Sequence, residues 1–212
     1  MYNTTKSFSK TISLLVLLFI GILSLQFQCS KSFACAESVY NFELSIRAYP
    51  DKDSILIGDT VWLEITAPTT LQDLSTSNLI NYSSAANLGT AIGIAELLSE
   101  DSIDVQGNKS FEFSLQKGKE LFRPDTMRFR EYSFAENNQT YQFKLALIPK
   151  KKGVYKVFVS NADNVYRTND KCTKAGFAIN FKNTSQHLYL NQIALPGVTL
   201  PTGGGVYLFK VI

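Results

Sequence analysis

An all-β fold, an antiparallel sandwich behind an N-terminal hydrophobic export segment, is predicted by three features of this 212-residue chain. Apolar and polar residues alternate over successive short runs, polar turns separate the runs, and no stretch of the exported part sustains a helical period. Period two means that one face of each run is buried and the other is not, which is how a strand covers half a core.

The elements follow in order. Tyr40, Phe42, Leu44 and Ile46 alternate with Asn41, Glu43, Ser45 and Arg47, which makes a half-buried strand. Pro50 to Asp53 turns the chain, Ile55 to Ile57 continues it, and Gly58-Asp59 turns it again. The run Thr60 to Ala67 then points Val61, Leu63 and Ile65 inward. Thr69 to Ala86 is rich in Ser, Thr and Asn and reads as a long crossing loop or part of a binding edge, with room for a short strand. Leu88 to Leu98 alternates larger residues with Gly89, Ala91, Gly93 and Ala95, as a strand with one small face would; a helix over Ile94 to Leu98 is the alternative. Further strands are expected over Lys109 to Leu115, Thr140 to Ile148 and Val154 to Ser160, through Phe177, Ile179 and Phe181, and over Val206 to Ile212.

The first residues carry an address. Lys6 and Lys10 precede an apolar run from Ile12 to Phe27, the pattern that the secretion machinery reads. Residues 1–36 are therefore expected to be a signal peptide or a membrane or lipid anchor, and residues 37–212 one β-sandwich domain. Three fates fit. Ala34-Cys35-Ala36 has the small-x-small form of a cleavage site; Cys29 or Cys35 could carry a lipid as in bacterial lipoproteins; and the uncharged span Thr11 to Ser30 just reaches the length needed to cross a bilayer. Setting aside Lys6, Lys10 and Lys31, the exported part holds 18 bases against 18 acids. A neutral module lacks the basic excess that drives non-specific nucleic-acid binding, so nucleic acid is not an expected partner. The run Lys150 to Lys152 between Pro149 and Gly153 reads as a solvated turn.

Two stretches carry a resemblance. Ile57-Gly58-Asp59-Thr60-Val61-Trp62-Leu63-Glu64 resembles the opening of an early strand in bacterial immunoglobulin-like modules, and Ile148-Pro149-Lys150-Lys151-Lys152-Gly153-Val154-Tyr155 resembles the turn into a late strand of the same modules. The resemblance implies an immunoglobulin-like sandwich of an exported envelope protein and carries no functional residue. The chain departs from it in length, with Thr69 to Ser110 as an elaboration, and in lacking the paired-cysteine and core-tryptophan spacing.

Three cysteines leave one over when they pair. With Cys29 in the removed, membrane-bound or lipid-bearing segment, Cys35 and Cys172 remain as an even pair in an oxidising compartment; with cleavage after Ala36, Cys172 alone survives. No catalytic residue is assigned. His187 is the single histidine, beside Leu188-Tyr189-Leu190, which rules out multi-histidine metal centres. No nucleophile elbow, phosphate loop or dinucleotide fingerprint is present, and Gly203 to Gly205 reads as a turn. The acids at Asp51 and Asp53, and at Glu100, Asp101 and Asp104, miss the calcium-loop register and read as solvated loop residues. No metal or cofactor is expected. Asn81, Asn108, Asn138 and Asn183 head glycosylation-type triplets.

Contact chemistry is expected on the polar face of the Thr60 to Ala67 strand. Alternation places Trp62 with Thr60, Glu64 and Thr66, away from Val61, Leu63 and Ile65. A ring beside hydroxyl and carboxylate groups stacks on sugars or anchors a protein; the alternative is Trp62 as a packing residue under a second layer. Tyr82, in the Ser/Asn-rich segment, is the second contact candidate, and Tyr166 near Arg167 a third. The expected function is a non-catalytic binding or adhesion module of the cell envelope, with a protein or glycan ligand and membrane association through the N-terminal segment. The alternatives are a structural subunit of an envelope assembly and, third, an exported hydrolase.

Overall fold

The computed structural model describes residues 38–99, 102–104, 106–122, 128–199 and 203–212. All of them belong to one compact unit, Glu37–Ile212. The expectations for residues 1–36, Cys29 and Cys35 among them, lie outside the described residues.

The domain is an all-β sandwich. Its strands are β1 (Ser38–Ser45), β2 (Arg47–Tyr49), β3 (Ser54–Ile55), β4 (Val61–Pro68), β5 (Thr70–Gln72), β6 (Leu79–Asn81), β7 (Gly89–Ser99), β8 (Ser102–Asp104), β9 (Phe111–Lys117), β10 (Lys119–Phe122), β11 (Phe129–Ser133), β12 (Ala135–Asn137), β13 (Thr140–Pro149), β14 (Gly153–Val159), β15 (Ala162–Arg167), β16 (Asp170–Asn180) and β17 (Val206–Val211). One helix, α1 (Tyr189–Ala194), precedes the last strand. The first layer has the order β12-β13-β4-β2, with β9 beside β12 on the same edge of β13; the second has the order β10-β11-β7-β14-β17-β3. The succession of β2, β4 and β13 in one layer and β7, β14 and β17 in the other is the strand order of an immunoglobulin-type sandwich. A three-stranded sheet β1-β16-β15 and the hairpin β5-β6 are the elaborations.

The inward faces form one core. Val61, Leu63 and Ile65 of β4 and Tyr141, Phe143, Leu145 and Leu147 of β13 share a cluster with Ile92 and Ile94 of β7, Tyr155 and Val157 of β14, and Tyr207 and Phe209 of β17. Phe42, Leu44, Phe177 and Ile179 of the three-stranded sheet join it. A smaller cluster of Leu97, Leu190, Leu195 and Leu208 joins α1 to β7 and β17. Leu208 follows Tyr207 and precedes Phe209, so β17 buries both of its faces; α1 is the reason, and no period in the sequence announces so short a helix.

The two immunoglobulin-like stretches meet in space. The Gly58 amide donates to the Pro149 carbonyl at 3.0 Å, and Gly58 takes a φ of +85° that suits glycine. Across the turn, the Tyr155 hydroxyl donates to the Lys151 carbonyl at 3.1 Å. A tyrosine that enters a strand and bonds the main chain a few residues upstream fixes the corner between sheets, as in immunoglobulin domains. The lysine run is the turn expected of it: Lys150 and Lys151 are exposed, and Lys151 pairs with the buried Glu96 at 2.9 Å.

Several local expectations change. Leu56 and Ile57 are exposed and do not extend β3; the Asp59 carboxylate accepts the Leu56 amide at 2.9 Å and turns the chain there. Thr69 to Ala86 holds the hairpin β5-β6, tied to β1 by Asp73, which accepts the Asn41 amide at 2.8 Å. The Asn41 amide first, and then the Thr76 hydroxyl, keep the Asp73 carboxyl below its ordinary range. Ile94 to Leu98 continues β7 and is not helical. The small face of that strand serves its own sheet: a Cβ on Gly93 would lie 2.1 Å from the Phe158 ring directly opposite, and one on Gly89 would lie 1.8 Å from the Tyr132 carbonyl oxygen. Lys109 lies in a 3-10 turn, Gly107–Ser110, before β9 begins at Phe111.

Two chain segments cross between the layers side by side. Gly118 links β9 of the first layer to β10 of the second, and Phe134 links β11 back to β12. Gly118 has a φ of +104°, and a Cβ there would sit 2.7 Å from the Ser133 carbonyl oxygen, which is main chain and cannot swing away. Gly118→Ala is therefore expected to cost about 1–3 kcal/mol in urea denaturation, whereas Gly203→Ala, with nothing near its Cβ position, stays within about 0.5 kcal/mol of wild type. Equal stability of the two variants would show that this crossing does not need glycine.

Candidate binding face

Pairing of β4 with β13 decides which side chains share a face. Ile65 lies opposite Phe143 and Leu63 opposite Leu145, all inward; Glu64 lies opposite Lys144 and Trp62 opposite Ala146, on the outer side. β2 continues the two outer rows, with Arg47 opposite Glu64 and Tyr49 opposite Trp62. An aromatic row, Tyr49 and Trp62, thus lies beside a charged row, Arg47, Glu64 and Lys144. Lys117 of β9, exposed, stands opposite Lys144 and adds a further positive charge.

The rings and cations form one group. Tyr49 and Trp62 have centroids 6.4 Å apart and planes within 21° of parallel. The Lys144 ammonium lies 4.8 Å from the Trp62 ring centroid and 5.6 Å from that of Tyr49, and the Arg47 guanidinium lies 5.5 Å from the Tyr49 ring. These are cation–π distances. The small, buried Ala146 opposite Trp62 leaves room for the indole, which is half-buried. Trp62 is therefore neither a core residue nor a fully exposed one: it packs on its own sheet and keeps part of its ring open. A hydrogen bond with the Tyr49 hydroxyl, and then the charge of Glu64, hold the Lys144 ammonium above the ordinary lysine range.

A groove of about 450 Å³ borders the charged row and is lined by Glu43, Arg47, Glu64, Thr66, Pro68 and Asn183. Lys182 at 2.5 Å and Asn180 at 2.8 Å hold Glu43 in place, and the Lys182 hydrogen bond is the first cause of a lowered carboxyl pKa there. Trp62 and Glu64 are thus brought together on an accessible face, as their alternation implies.

Tyr82 is a correction. It is fully buried, its ring sits against Phe42 and Phe177 at 5.4 and 5.7 Å, and its hydroxyl donates toward the Val165 and Thr173 carbonyls at 2.7 and 3.1 Å. Burial pushes its phenol up to about 12. The Tyr141 hydroxyl donates to the Tyr82 carbonyl, so the residue knits the hairpin side of the domain to the three-stranded sheet and cannot meet a ligand. Its polar sequence neighbours hid this, because they describe the loop around Tyr82 and not the packing above it. Tyr166 is half-buried beside Lys174, whose ammonium lies 5.6 Å from its ring; with Ala86, Arg167 and Thr168 it lines a separate, largely apolar hollow.

Tyr49, Arg47 and Lys144 were not selected from the sequence. The outward phase of Arg47 and Lys144 is legible in the alternation, but their approach to Trp62 depends on which strands pair, and in which register.

His187 is buried, with Nδ1 3.0 Å from the Leu208 carbonyl oxygen and Nε2 3.5 Å from Asp51 Oδ1. A carbonyl only accepts, so Nδ1 carries a proton and donates. The Ser185 hydroxyl donates to Asp51 Oδ2 at 3.1 Å and not to the imidazole. Both ring nitrogens thus face oxygen acceptors, and the imidazole ties the segment before α1 to β17 and the Asp51 turn. Tyr189, on α1, bonds Asp53 in the same turn. Cys172 is half-buried near the start of β16, and its amide donates to the Asp170 carboxylate at 3.0 Å. Among the described residues no group of three or more His, Cys, Asp or Glu converges on one point, and no helix is long and apolar enough to cross a membrane.

No protein-family model matches this chain, and no curated protein does. Among solved structures it is similar to the crystal structure of the human F-spondin reeler domain (fragment 1), at a TM-score of 0.40 and 9% identity over 87% of this chain and 100% of that one.

Two of the three sequence-selected aromatics, Tyr82 and Trp62, separate cleanly by substitution. Tyr82→Ala is expected to cost about 3–5 kcal/mol, as truncation of a core aromatic does. Trp62→Ala removes a ring that lies outside the core cluster and is partly exposed, and is expected to cost about 1–2 kcal/mol. Chemical denaturation measures both; a larger loss at Trp62 than at Tyr82 would mean that the outer face is packed against something that shields it.

Proposed function

We propose that this chain is an exported, non-catalytic binding module of the cell envelope, related in kind to bacterial immunoglobulin-like modules, and that it captures a glycan or protein ligand on the outer face of β2, β4 and β13. The observation that carries this reading is the Tyr49, Trp62 and Lys144 group, a half-buried indole between a ring and an ammonium on the outer side of the sheet. A rigid aromatic on a strand presents contact area at little entropic cost, which suits capture. The N-terminal segment would supply the address and the membrane association, through a lipid on Cys29, a retained span, or transient use before cleavage.

Trp62→Ala in the full chain is expected to reduce retention on the envelope fraction of the source cells by tenfold or more, while the folded domain persists. Retention equal to wild type would remove the face from consideration, and substrate turnover by the purified chain would overturn the non-catalytic reading.

A bridge between Cys35 and Cys172 belongs to the same proposal. β1 runs parallel to β16 with Ser38 opposite Thr173, so Cys35 stands three residues of chain before a position adjacent to Cys172. Three residues span at most about 10 Å and allow the sulfurs to meet without moving either strand. Non-reducing peptide mapping of the exported protein is expected to recover the two peptides joined; recovery of Cys172 joined to Cys29, or of a free Cys172 thiol, would replace this pairing.

A further inference from the structure

We infer that the ligand of this face is a polysaccharide whose sugars carry carboxylates, an inference that rests on the binding reading above and narrows it to one chemical class. The first ground is charge. The exported part has as many acids as bases, yet the outer rows of β2, β4 and β13 and the adjoining end of β9 bring together Arg47, Lys144 and Lys117 against the single acid Glu64. Positive charge concentrated on a neutral domain selects an anionic partner and weakens as salt screens it.

The second ground is the arrangement of rings and cations. Tyr49 and Trp62 lie in neighbouring strands with nearly parallel planes and offer an extended aromatic strip. The apolar face of a pyranose ring rests on such a strip, and each ring is one contact. Lys144 stands within cation–π distance of both rings, and Arg47 within that distance of Tyr49, so a carboxylate at the edge of a stacked sugar meets an ammonium or a guanidinium without leaving the strip. Glu64, between Arg47 and Lys144 in register, is placed to accept from sugar hydroxyls. Lys117 stands one strand spacing, about 5 Å, from Lys144, and Arg47 two spacings, about 10 Å, on its other side, so carboxylates on neighbouring or alternate sugars meet successive cations.

The third ground is openness. The charged row beside the strip borders the groove lined by Arg47, Glu64, Thr66 and Glu43, whose carboxylate is already paired with Lys182, so a chain longer than two sugars has a path across the sheet. An acidic peptide shares the charge but has no flat apolar face for Trp62. Dependence on the indole therefore separates the two.

The test uses the full chain in affinity electrophoresis with polygalacturonate, alginate and hyaluronan, alongside carboxyl-reduced polygalacturonate and poly-glutamate. Retardation by at least one carboxylated polysaccharide is expected, at least tenfold weaker for the reduced polymer when polygalacturonate is bound, and weakened at high salt. Trp62→Ala, Lys144→Gln and Arg47→Ala are each expected to lose tenfold or more; Arg47 is exposed and outside the core cluster, so a loss at that variant reads binding and not folding. Binding of the reduced polymer as tightly as the native one would overturn the carboxylate assignment. Poly-glutamate binding that Trp62→Ala does not change would overturn the glycan in favour of an acidic peptide. If none of the three polysaccharides binds while Trp62→Ala still abolishes retention on envelopes, the inference fails and the binding reading stands; if that retention is also unchanged, both fail.

Discussion

The pairing of β4 with β13 is the constraint on which the rest of the molecule depends. Its eight residue pairs, from Thr140 opposite Pro68 to Leu147 opposite Val61, put Val61, Leu63, Ile65, Phe143 and Leu145 into the core and Trp62, Glu64 and Lys144 on the outside. A slip of one residue would exchange the faces and bury two charges and an indole ring where aliphatic side chains now pack. Because that error is so costly, the outer face inherits its order from the core: the cations stand over the rings because the aliphatic residues between them have nowhere else to go. The packing of the core and the layout of the outer face are two consequences of one register.

The second layer is held to this pair by contacts at its ends as much as by its middle. At one end the Gly58 amide and the Tyr155 hydroxyl fasten the two turns that resemble immunoglobulin modules. Elsewhere, Gly118 and Phe134 carry the chain across between layers, and the Phe134 amide donates to the Leu88 carbonyl at 2.8 Å so that the crossing leaves no donor unpaired there. Aromatic contacts take the place of the inter-sheet disulfide and core tryptophan of antibody domains. Phe111 meets Tyr155 edge-on at 4.8 Å, and Tyr132 meets Phe143 at 5.5 Å. Such pairs add to area burial through the ring quadrupole.

Legibility in the sequence tracks how local the determining physics is. The strands at Phe42, Leu63, Phe143 and Val157 were readable because alternation is a property of neighbouring residues, and so was the outward phase of Trp62. The hairpin β5-β6 was only partly readable, since its strands are three residues each and are anchored by Asp73 reaching across to β1. Helix α1 was not readable: six residues are too few for a period, and it is helical because Leu190 and Leu195 cover Leu97 and Leu208 on the outer side of the second layer. The burial of Tyr82 and the approach of Lys144 to Trp62 come from long-range pairing, which no run of adjacent residues encodes. Composition misled at Tyr82 for that reason, while at Trp62 the phase alone was enough.

The ionisation of the outer face bears on what kind of work it suits. A group that moves protons in a reaction is most effective when its pKa lies near the ambient pH, so that both states are populated. Lys144 is pushed the other way, with the Tyr49 hydroxyl and the Glu64 carboxylate favouring its ammonium form. The lowered carboxyls of Asp73 and Asp170 accept amides and hydroxyls that set turns, Asp73 against Asn41 and Thr76, Asp170 against Cys172 and Thr173. His187 spends both nitrogens on the Leu208 carbonyl and Asp51. The shifts at Lys144, Asp73 and Asp170 each favour the charged form and hold a turn or a cross-strand contact in place. The Lys144 ammonium, held against two rings, sits on strands whose register the core sets, and the partial exposure of the indole to water is what that register costs.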